Sequence, residues 1–275
     1  MQGKIIKQIS NDYTVIADDK KYICKSRGKF RHEKIKPLVG DNVDFDPESS
    51  MILKINSRYN ELVRPSICNI DQALIIASVK DPNFDLNLLD KLLTIIEFNR
   101  IEPIICLTKL DLLQEEEKEY IEDYRNYYTQ IGYQVYDNTQ ISNLKKIFKD
   151  KITVFTGQTG AGKSSLLNKL DSSLNIKTNE ISYALGRGKN TTTHTELRSL
   201  FNGMIADTPG FSDVGFNDMS KADIRDNFIE FNIYRDQCKY RDCMHDKEDH
   251  CMIKQLVQEG KIKESRYENY LKFIR

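Results

Sequence analysis

The sequence lacks any long apolar run. Its 275 residues contain no stretch that could cross a bilayer as a helix, which takes about 20 mostly apolar residues, and no apolar segment stands near its start. We therefore expect a cytoplasmic protein with no membrane association and no secretory signal. Internal repeats and low-complexity tracts are also absent. With 39% hydrophobic residues, the chain can bury a sizeable core and has the length for two or three domains.

The chain also has no net charge. The 41 Lys and Arg residues are balanced by 41 Asp and Glu residues, so the formal charge is zero. This balance gives no support to binding of nucleic acid over the whole surface, and any such affinity has to come from a local patch. One basic patch is present, because eight Lys or Arg residues and a single acid, Glu33, occupy the segment from Lys20 to Lys36.

The basic segment belongs to an N-terminal region with its own character. Across the first 66 residues, short alternating runs are separated by turn residues, which predicts a small β-barrel such as an OB-fold. A barrel of this kind with a basic stripe is suited to nucleic acid, and a solvated charged loop is the alternative interpretation. The candidate contacts are Lys25, Arg27, Lys29, Arg31 and Lys34.

Cysteine is scarce, and half of it stands in one short segment. Of the six cysteines, three lie with a histidine between residues 238 and 251, and the predicted ligands are Cys238, Cys243, His245 and Cys251. Three thiolates and one imidazole suit a tetrahedral structural Zn²⁺, one per chain. His250 is the rival fourth ligand, although immediate sequence neighbours seldom chelate one ion. Without a secretory signal a disulfide is disfavoured, and the other cysteines are expected to be small buried residues.

The sequence GQTGAGKS fills the phosphate-loop pattern G-x4-G-K-[ST], which chance produces in roughly one chain in a hundred of this length. A β-rich run precedes it and a helical pattern follows. Backbone N–H groups of such a loop cradle phosphates, while Lys163 reaches the β and γ phosphates and the Ser164 hydroxyl ligates Mg²⁺. A plain Gly-rich turn is the alternative. The predicted contacts are Gly157, Gln158, Thr159, Gly160, Ala161, Gly162, Lys163, Ser164 and Ser165.

A second loop indicates which base is bound. Thr108, Lys109, Leu110 and Asp111 follow a buried-looking strand and resemble the NKxD guanine loop of GTPases, with Thr in place of Asn. In that loop the Asp carboxylate accepts hydrogen bonds from guanine N1–H and the 2-amino group, which adenine cannot offer. Thr108, Lys109 and Asp111 are therefore predicted to bind GTP, and a solvated turn is the alternative.

Two further segments complete a nucleotide site. In the DTPG segment, Asp207 would hold Mg²⁺ through water and the Gly210 N–H would sense the γ-phosphate; an ordinary turn is the alternative. Between it and the phosphate loop lies GRGKNTTTHTEL, which predicts a mobile loop whose threonine ligates Mg²⁺, or else a Thr-rich linker. Thr191, Thr192 and Thr193 are all candidates, and Thr192 is preferred.

The order of these loops is circularly permuted relative to Ras-like GTPases, because Asp111 precedes Gly157. Adjacent strands of an open α/β sheet can supply loops in any chain order, so the site itself is unaffected. Predicted strands at 73–79, 103–107, 134–137 and 152–156 alternate with predicted helices, which indicates a parallel sheet. The segment 137–139 is a further candidate guanine loop.

Together, TKLD before GQTGAGKS, the RGKNTTT loop, DTPGF and the C-x4-C-x-H-x5-C tail resemble the RsgA (YjeQ) family of small ribosomal subunit-dependent GTPases. The resemblance implies an α/β fold class with an N-terminal OB-fold β-barrel (1–66), a circularly permuted Ras-like P-loop GTPase domain (67–215) and a small α-helical zinc domain (216–275). It implies a late-stage 30S maturation factor, expected to be a monomer, that contacts 16S rRNA through the basic stripe and hydrolyses GTP to GDP when the subunit stimulates it.

One departure bears on catalysis. Ras-like enzymes place a water-orienting Gln after the DxxG glycine, where this chain has Phe211, and the family often has His where this chain has Asn190. An Asn amide can orient water but cannot take its proton. The predicted catalytic residues are therefore Lys163 together with Asn190 or His194. Two other functions remain open: a GTP-gated rRNA-binding module in which occupancy alone sets affinity, and a metabolic ATPase or kinase.

Overall fold

The computed structural model describes residues 1–32, 35–62, 66–172, 196–207 and 215–275, without the side chains of residues 31, 32 and 207. The described residues form two compact units, one drawn from the ranges 1–74, 140–156 and 163–211 and the other from 75–139, 157–162 and 212–275. The division into domains 1–66, 67–215 and 216–275 stays a prediction. The predicted sites that lie outside the described residues are Lys34, Asn190, Thr192, His194, Gly210 and the side chains of Arg31 and Asp207.

The first unit begins with a five-stranded barrel. Strands β1, β2 and β3 form an antiparallel meander, β5 joins β3 in parallel, and β4 pairs with both β5 and β1, which closes the sheet. This closure confirms the OB-type barrel that the alternating pattern predicts. The strand bounds are β1 Gln2–Ile9, β2 Asp12–Ala17, β3 Lys20–Ser26, β4 Asn42–Asp46 and β5 Met51–Ile55.

A short helix, α1 (Gly28–His32), lies inside the basic segment, where the sequence predicts none. Its Phe30 is only 6% exposed and belongs to the barrel core. Arg27 and Lys29, which precede Phe30 in the chain, are exposed, as is Lys25 near the end of β3. The described cations of the basic stripe, Lys25, Arg27 and Lys29, therefore face solvent, whereas the Phe30 side chain is largely buried.

The same unit extends the barrel into a larger sheet. Strand β1 also pairs with β12, and Lys7 lies 3.1 Å from Glu196 across that pair. Strands β12 and β13 form a hairpin, and β13 runs parallel to β11. The remaining bounds in this unit are β6 Glu61–Leu62, β7 Ile67–Cys68, β11 Ile152–Gly157, β12 Glu196–Leu200, β13 Gly203–Asp207, α4 Ile141–Ile147 and α5 Lys163–Leu170.

The second unit has three neighbouring strands in the order β10, β9, β8, with β10 parallel to β9. Their bounds lie close to the predicted ones, and the C-terminal helix of this unit packs Tyr270 fully inside. The bounds are β8 Gln72–Ser78, β9 Glu102–Thr108, β10 Gln134–Asp137, α2 Leu86–Phe98, α3 Glu115–Gln130, α6 Lys221–Asp226, α7 Ile229–Tyr234, α8 Met252–Gln258 and α9 Glu264–Phe273.

Two single-turn 3-10 helices, Leu110–Leu112 and Arg235–Gln237, complete the second unit. The cysteines outside the C-terminal segment, Cys24, Cys68 and Cys106, are fully buried, as predicted. Among the described residues, none of the helices combines the length and apolar character that spanning a bilayer requires.

Candidate nucleotide site and metal cluster

The phosphate-loop sequence joins a strand to a helix, as the pattern predicts. Strand β11 ends at Gly157 and α5 begins at Lys163, directly after the glycine-rich turn. The three glycines at positions 157, 160 and 162 have φ values of 129°, 81° and 91°, which side-chain-bearing residues rarely adopt. A Cβ atom on Gly157 would also lie 2.1 Å from the carbonyl oxygen of Ile76. Glycine is therefore required at 157 by both backbone conformation and space.

Lys163 carries a perturbed ammonium group. Burial lowers the pKa of Lys163 to about 8, because removing a cation from water favours its neutral form. An anionic phosphate nearby would act in the opposite direction and favour the charged ammonium. The neighbouring Ser164, predicted to ligate Mg²⁺, is also buried at the start of α5.

Thr108 ties the guanine-type loop to the phosphate loop. Thr108 is 2% exposed, and its hydroxyl donates a hydrogen bond to the carbonyl of Ala161 at 2.6 Å. Lys109 follows in the left-handed conformation with φ 63°, and Asp111 stands exposed in the 3-10 turn. The structure therefore brings together the predicted guanine-type loop and the predicted phosphate loop. The Thr108 hydroxyl joins the two loops by a hydrogen bond.

A segment for which the sequence predicted no role supports the same loops. The Nζ of Lys109 donates to the carbonyl of Asp81, and Pro82 lies 3.6 Å from where a Cβ atom of Gly160 would stand. Residues 79–85, which follow β8, are thus in contact with both the guanine-type loop and the phosphate loop. The one sequence signal for this turn is the Asp-Pro pair after a strand.

The further candidate guanine loop, 137–139, lies at the end of β10, beside the end of β9. Its Asp137 carboxylate accepts hydrogen bonds from the backbone and hydroxyl of Thr139 and from Arg125 at 3.0 Å. The N–H of Asn138 donates to the carbonyl of Leu107 at 3.0 Å. These bonds fix the loop near the Thr108 end of β9, and its contact with a base stays a prediction.

Valine in place of Thr108 keeps the side-chain shape and removes the hydroxyl. We expect Thr108→Val to weaken GDP binding by about tenfold, because the Ala161 carbonyl loses its buried donor and the two loops are no longer held together before the nucleotide arrives. The dissociation constant of a fluorescent GDP analogue measures this. Thr156→Val is the matched control, since the buried Thr156 hydroxyl has no hydrogen-bond partner among the described residues. Equal constants for both variants would contradict the expectation.

The four predicted metal ligands converge. The ligand atoms of Cys238, Cys243, His245 and Cys251 all lie within 4.8 Å of one another. The Nδ1 atom of His245 is 3.7 Å from the Cys238 sulfur and 3.3 Å from the Cys251 sulfur, and these two sulfurs are 4.0 Å apart. Tetrahedral zinc with bonds of about 2.0–2.3 Å holds its ligand atoms about 3.5–3.8 Å apart, so the donor set fits this ion in chemistry and in size.

Histidine 245, not its rival, supplies the imidazole. His245 is 1% exposed inside the cluster, whereas His250 is exposed. Burial, together with the nearby Arg225 cation, lowers the pKa of His245 to about 4, which favours the neutral ring that can offer a lone pair to a metal. Burial also raises the pKa of the Cys243 thiol to about 12, a direction that a bound dication reverses.

A carboxylate shapes the loop that carries His245. The two oxygens of Glu248 accept the backbone N–H groups of Met244 at 2.8 Å and Asp246 at 3.0 Å. These two hydrogen bonds, to the residues on either side of His245, hold the His245 backbone in the left-handed conformation with φ 56°. Glu248 was not predictable from the sequence, because a carboxylate bonding to nearby N–H groups leaves no distinctive spacing.

One of the predicted nucleic-acid contacts, Lys29, lines a groove on the barrel. Lys29 and Lys54 line a groove of about 400 Å³ together with Phe30, Ile35 and Leu53. Lys25 and Arg27 are exposed on the same barrel. This is a mixed cationic and apolar surface, of the type that single-stranded nucleic acids contact with phosphates and bases.

Comparison with known proteins agrees with this architecture. The RsgA N-terminal domain family matches residues 2–51, and the RsgA GTPase family matches residues 55–217. A relative from Oceanobacillus iheyensis named small ribosomal subunit biogenesis GTPase RsgA 2 is 47% identical, with 99% of this chain and 96% of the relative covered. The small ribosomal subunit biogenesis GTPase RsgA of Bacillus subtilis is 44% identical, with the same coverage.

Two solved structures share the whole fold. YloQ, described as a circularly permuted GTPase, superposes with a TM-score of 0.84 at 38% identity, covering 99% of this chain and 93% of YloQ. YjeQ from Thermotoga maritima superposes with a TM-score of 0.86 at 33% identity, covering 99% and 96% of the two chains. The loop order read from the sequence and the closed N-terminal barrel are both consistent with these relatives. By sequence and by fold, the chain belongs to the RsgA family of circularly permuted GTPases.

Proposed function

We propose that this protein binds the small ribosomal subunit, hydrolyses GTP when the subunit stimulates it, and acts as a late-stage assembly factor in the cytoplasm. The observation that carries the nucleotide part is the Thr108–Ala161 hydrogen bond, which joins a guanine-type loop to a phosphate loop. The ribosomal part is supported by the names of the relatives, which describe small ribosomal subunit biogenesis GTPases.

The proposed nucleotide contacts follow from the chemistry of each group. The Asp111 carboxylate would accept the two hydrogen bonds that distinguish guanine from adenine, and the Lys109 stem would pack along the base. Backbone N–H groups of residues 157–162 would surround the phosphates, and Lys163 would stabilise charge that develops on them during transfer. The remaining proposed GTP contacts are Ser165 and Gly210.

Magnesium is the expected companion of GTP. The residues proposed to hold it are Ser164, Thr192 and Asp207, whose hydroxyl and carboxylate oxygens suit a hard dication. When bound, it neutralises charge on the β and γ phosphates. Asn190 or His194 would orient the attacking water. Since phosphoryl transfer depends mainly on positioning and charge stabilisation, an orienting amide is chemically sufficient.

A second metal is proposed at the C-terminal cluster, where Cys238, Cys243, His245 and Cys251 would hold one structural Zn²⁺. On the N-terminal barrel, the exposed cations Lys25, Arg27 and Lys29 would contact 16S rRNA phosphates, together with Arg31 and Lys34. We propose that the protein acts as a monomer on the subunit.

The test measures phosphate release by the full chain with GTP, alone and with purified 30S subunits. We expect the subunit to raise turnover on the order of tenfold or more, because a partner that completes the charge stabilisation of a slow GTPase has effects at least of this size. Purified 50S subunits serve as the matched control and should leave turnover unchanged. No increase with 30S particles would reject the proposal. Displacement of bound GTP by an equal concentration of ATP would reject the guanine assignment.

A further inference from the structure

The C-terminal helix α9 carries a buried arginine, Arg266, that pairs with carboxylates on two neighbouring helices. Arg266 is 1% exposed, and its NH1 donates to the carboxylate of Asp90 on α2 at 2.6 Å. Its Nε and NH2 donate to the carboxylate of Glu230 on α7, at 2.6 Å and 3.1 Å. The guanidinium also lies 4.5 Å from the ring centre of Phe228. One residue of α9 therefore holds two other helices through fully desolvated bonds.

The partners of Arg266 are themselves satisfied. Asp90 also accepts the hydroxyl of Tyr128 on α3 at 2.7 Å and the amide of Asn269 on α9 at 2.7 Å. Glu230 accepts the hydroxyl of Tyr127 at 3.4 Å. Burying two carboxylates and one guanidinium stabilises a fold no better than well-packed apolar groups would. Such a network, fully hydrogen-bonded, instead fixes the relative positions of α2, α3, α7 and α9.

The same helix also holds the metal cluster. The hydroxyl of Tyr267 donates to the carbonyl of His245 at 2.6 Å, and that of Tyr270 donates to the carbonyl of Met244. These two carbonyls belong to the loop that supplies the imidazole ligand. Tyr267 and Tyr270 directly follow Arg266 and Asn269, the two residues of α9 that bind Asp90. The two tyrosines therefore join the metal-binding loop to α9.

Helix α3 in turn holds the segment beside the guanine-type loop. Lys80 forms an ion pair with Glu117 of α3 at 2.5 Å, and Phe84 packs edge-on against Tyr124 of α3. Between those two anchors lies Asp81, whose carbonyl accepts the Nζ of Lys109. The guanine-type loop is thus supported by α3, which the Arg266 network links to α9 through Asp90 and Tyr128.

We infer that α9 is a positioning helix that couples the metal cluster to the guanine-type loop, so that zinc occupancy and guanine-nucleotide affinity depend on each other. This inference rests on the proposed GTP site. Zinc orders the loop carrying His245, the two tyrosine hydroxyls transmit that order to α9, and the Arg266 network transmits it to α2 and α3. Because coupling of binding free energies is reciprocal, bound nucleotide raises the affinity for zinc by the same factor.

The experiment measures the dissociation constant of a fluorescent GDP analogue for the full chain, zinc-loaded and after zinc removal by a chelator. Zinc affinity is measured in the reciprocal arm, with and without saturating GDP. We expect a change of about fivefold or more in both arms for the wild type. In the double variant Tyr267→Phe, Tyr270→Phe, which keeps both rings, the zinc-loaded protein should bind GDP about as weakly as the zinc-free wild type.

Tyr240→Phe is the matched control, since Tyr240 is an exposed tyrosine in the same metal-binding segment. It should retain the full coupling. An unchanged GDP constant on zinc removal overturns the coupling, and equal coupling in the double variant overturns the route through α9. Failure of the zinc-loaded wild type to bind GDP overturns the proposed function as well, which separates the two cases. Thermal melting of the double variant near the wild-type temperature confirms that it folds.

Discussion

Replacing Lys163 with alanine is expected to lower GTP turnover by about two to three orders of magnitude. Removing one preorganised donor that faces developing charge typically has an effect of this size. The structure adds a reason specific to this lysine, because burial already lowers its pKa to about 8 and its ammonium group has lost part of its hydration. In the proposed site, phosphate oxygens would replace that hydration, and the group would contribute to both ground-state binding and transfer.

Single-turnover phosphate release at saturating GTP measures the chemical step, and the GDP dissociation constant measures binding. Lys169→Ala is the matched control, because Lys169 is an exposed lysine on the same helix, α5. It should match the wild type in both measurements. Turnover of Lys163→Ala within about tenfold of the wild type would show that the phosphate loop does not perform the proposed chemistry.

The Lys163→Ala variant also distinguishes two ways in which GTP could control release from the subunit. In one, hydrolysis times the release, and in the other, nucleotide occupancy alone sets the affinity. If hydrolysis times release from the subunit, Lys163→Ala loaded with GTP should stay bound to 30S particles while the wild type dissociates. Sedimentation of the subunit with each protein measures this. Equal release of both proteins would favour the alternative in which nucleotide occupancy alone sets the affinity.

Those features of the site that lie in one continuous stretch of chain were predictable from the sequence. The phosphate loop follows from chemistry that requires glycines, a lysine and a hydroxyl at fixed spacing, and the structure places it between β11 and α5. Strands such as β9 were predictable because buried parallel strands are continuous apolar runs. The cysteine and histidine set was predictable for the same reason as the phosphate loop, since its members lie within residues 238–251.

Interactions between distant parts of the chain were not predictable. The Thr108 hydroxyl bonds to a carbonyl 53 residues away, and Arg266 pairs with Asp90 across 176 residues. Neither pair belongs to a sequence motif with a fixed spacing, and Thr, Ala, Arg and Asp are common residue types, so the sequence does not mark these pairs. The sequence of α9 likewise gives no sign that its residues connect the metal-binding loop to α2. Similarly, β12 is a mixed polar sequence that becomes a strand because β1 and β13 flank it.

Replacing Cys243 and Cys251 together with serine is expected to abolish zinc binding at the C-terminal cluster. A neutral hydroxyl is a poor substitute for a thiolate, and a tetrahedral site left with two soft or imidazole ligands does not retain zinc against dilute chelator. Metal analysis of the purified protein should give about one zinc per chain for the wild type and close to none for the double variant.

Folding of the tail should change together with the metal content. Cys243 and Cys251 are buried in an apolar cluster with Phe228, Phe231 and Tyr270, so metal binding and packing of this core occur at the same place. Structural zinc contributes roughly 10–16 kcal/mol to isolated finger peptides, and the larger apolar core here makes the dependence smaller than in those peptides. We expect limited proteolysis to cleave the double variant within 216–275 under conditions that leave the wild type intact.

Two matched variants make this prediction specific. Cys106→Ala changes a fully buried cysteine of β9 and should retain zinc, which shows that loss of a core thiol is not itself the cause. His250→Ala removes the exposed rival imidazole and should also retain zinc, because His245 is the ring inside the cluster. Full zinc content in the Cys243→Ser, Cys251→Ser protein would refute the site, whereas zinc loss in His250→Ala would move the fourth ligand from His245 to its neighbour in the sequence.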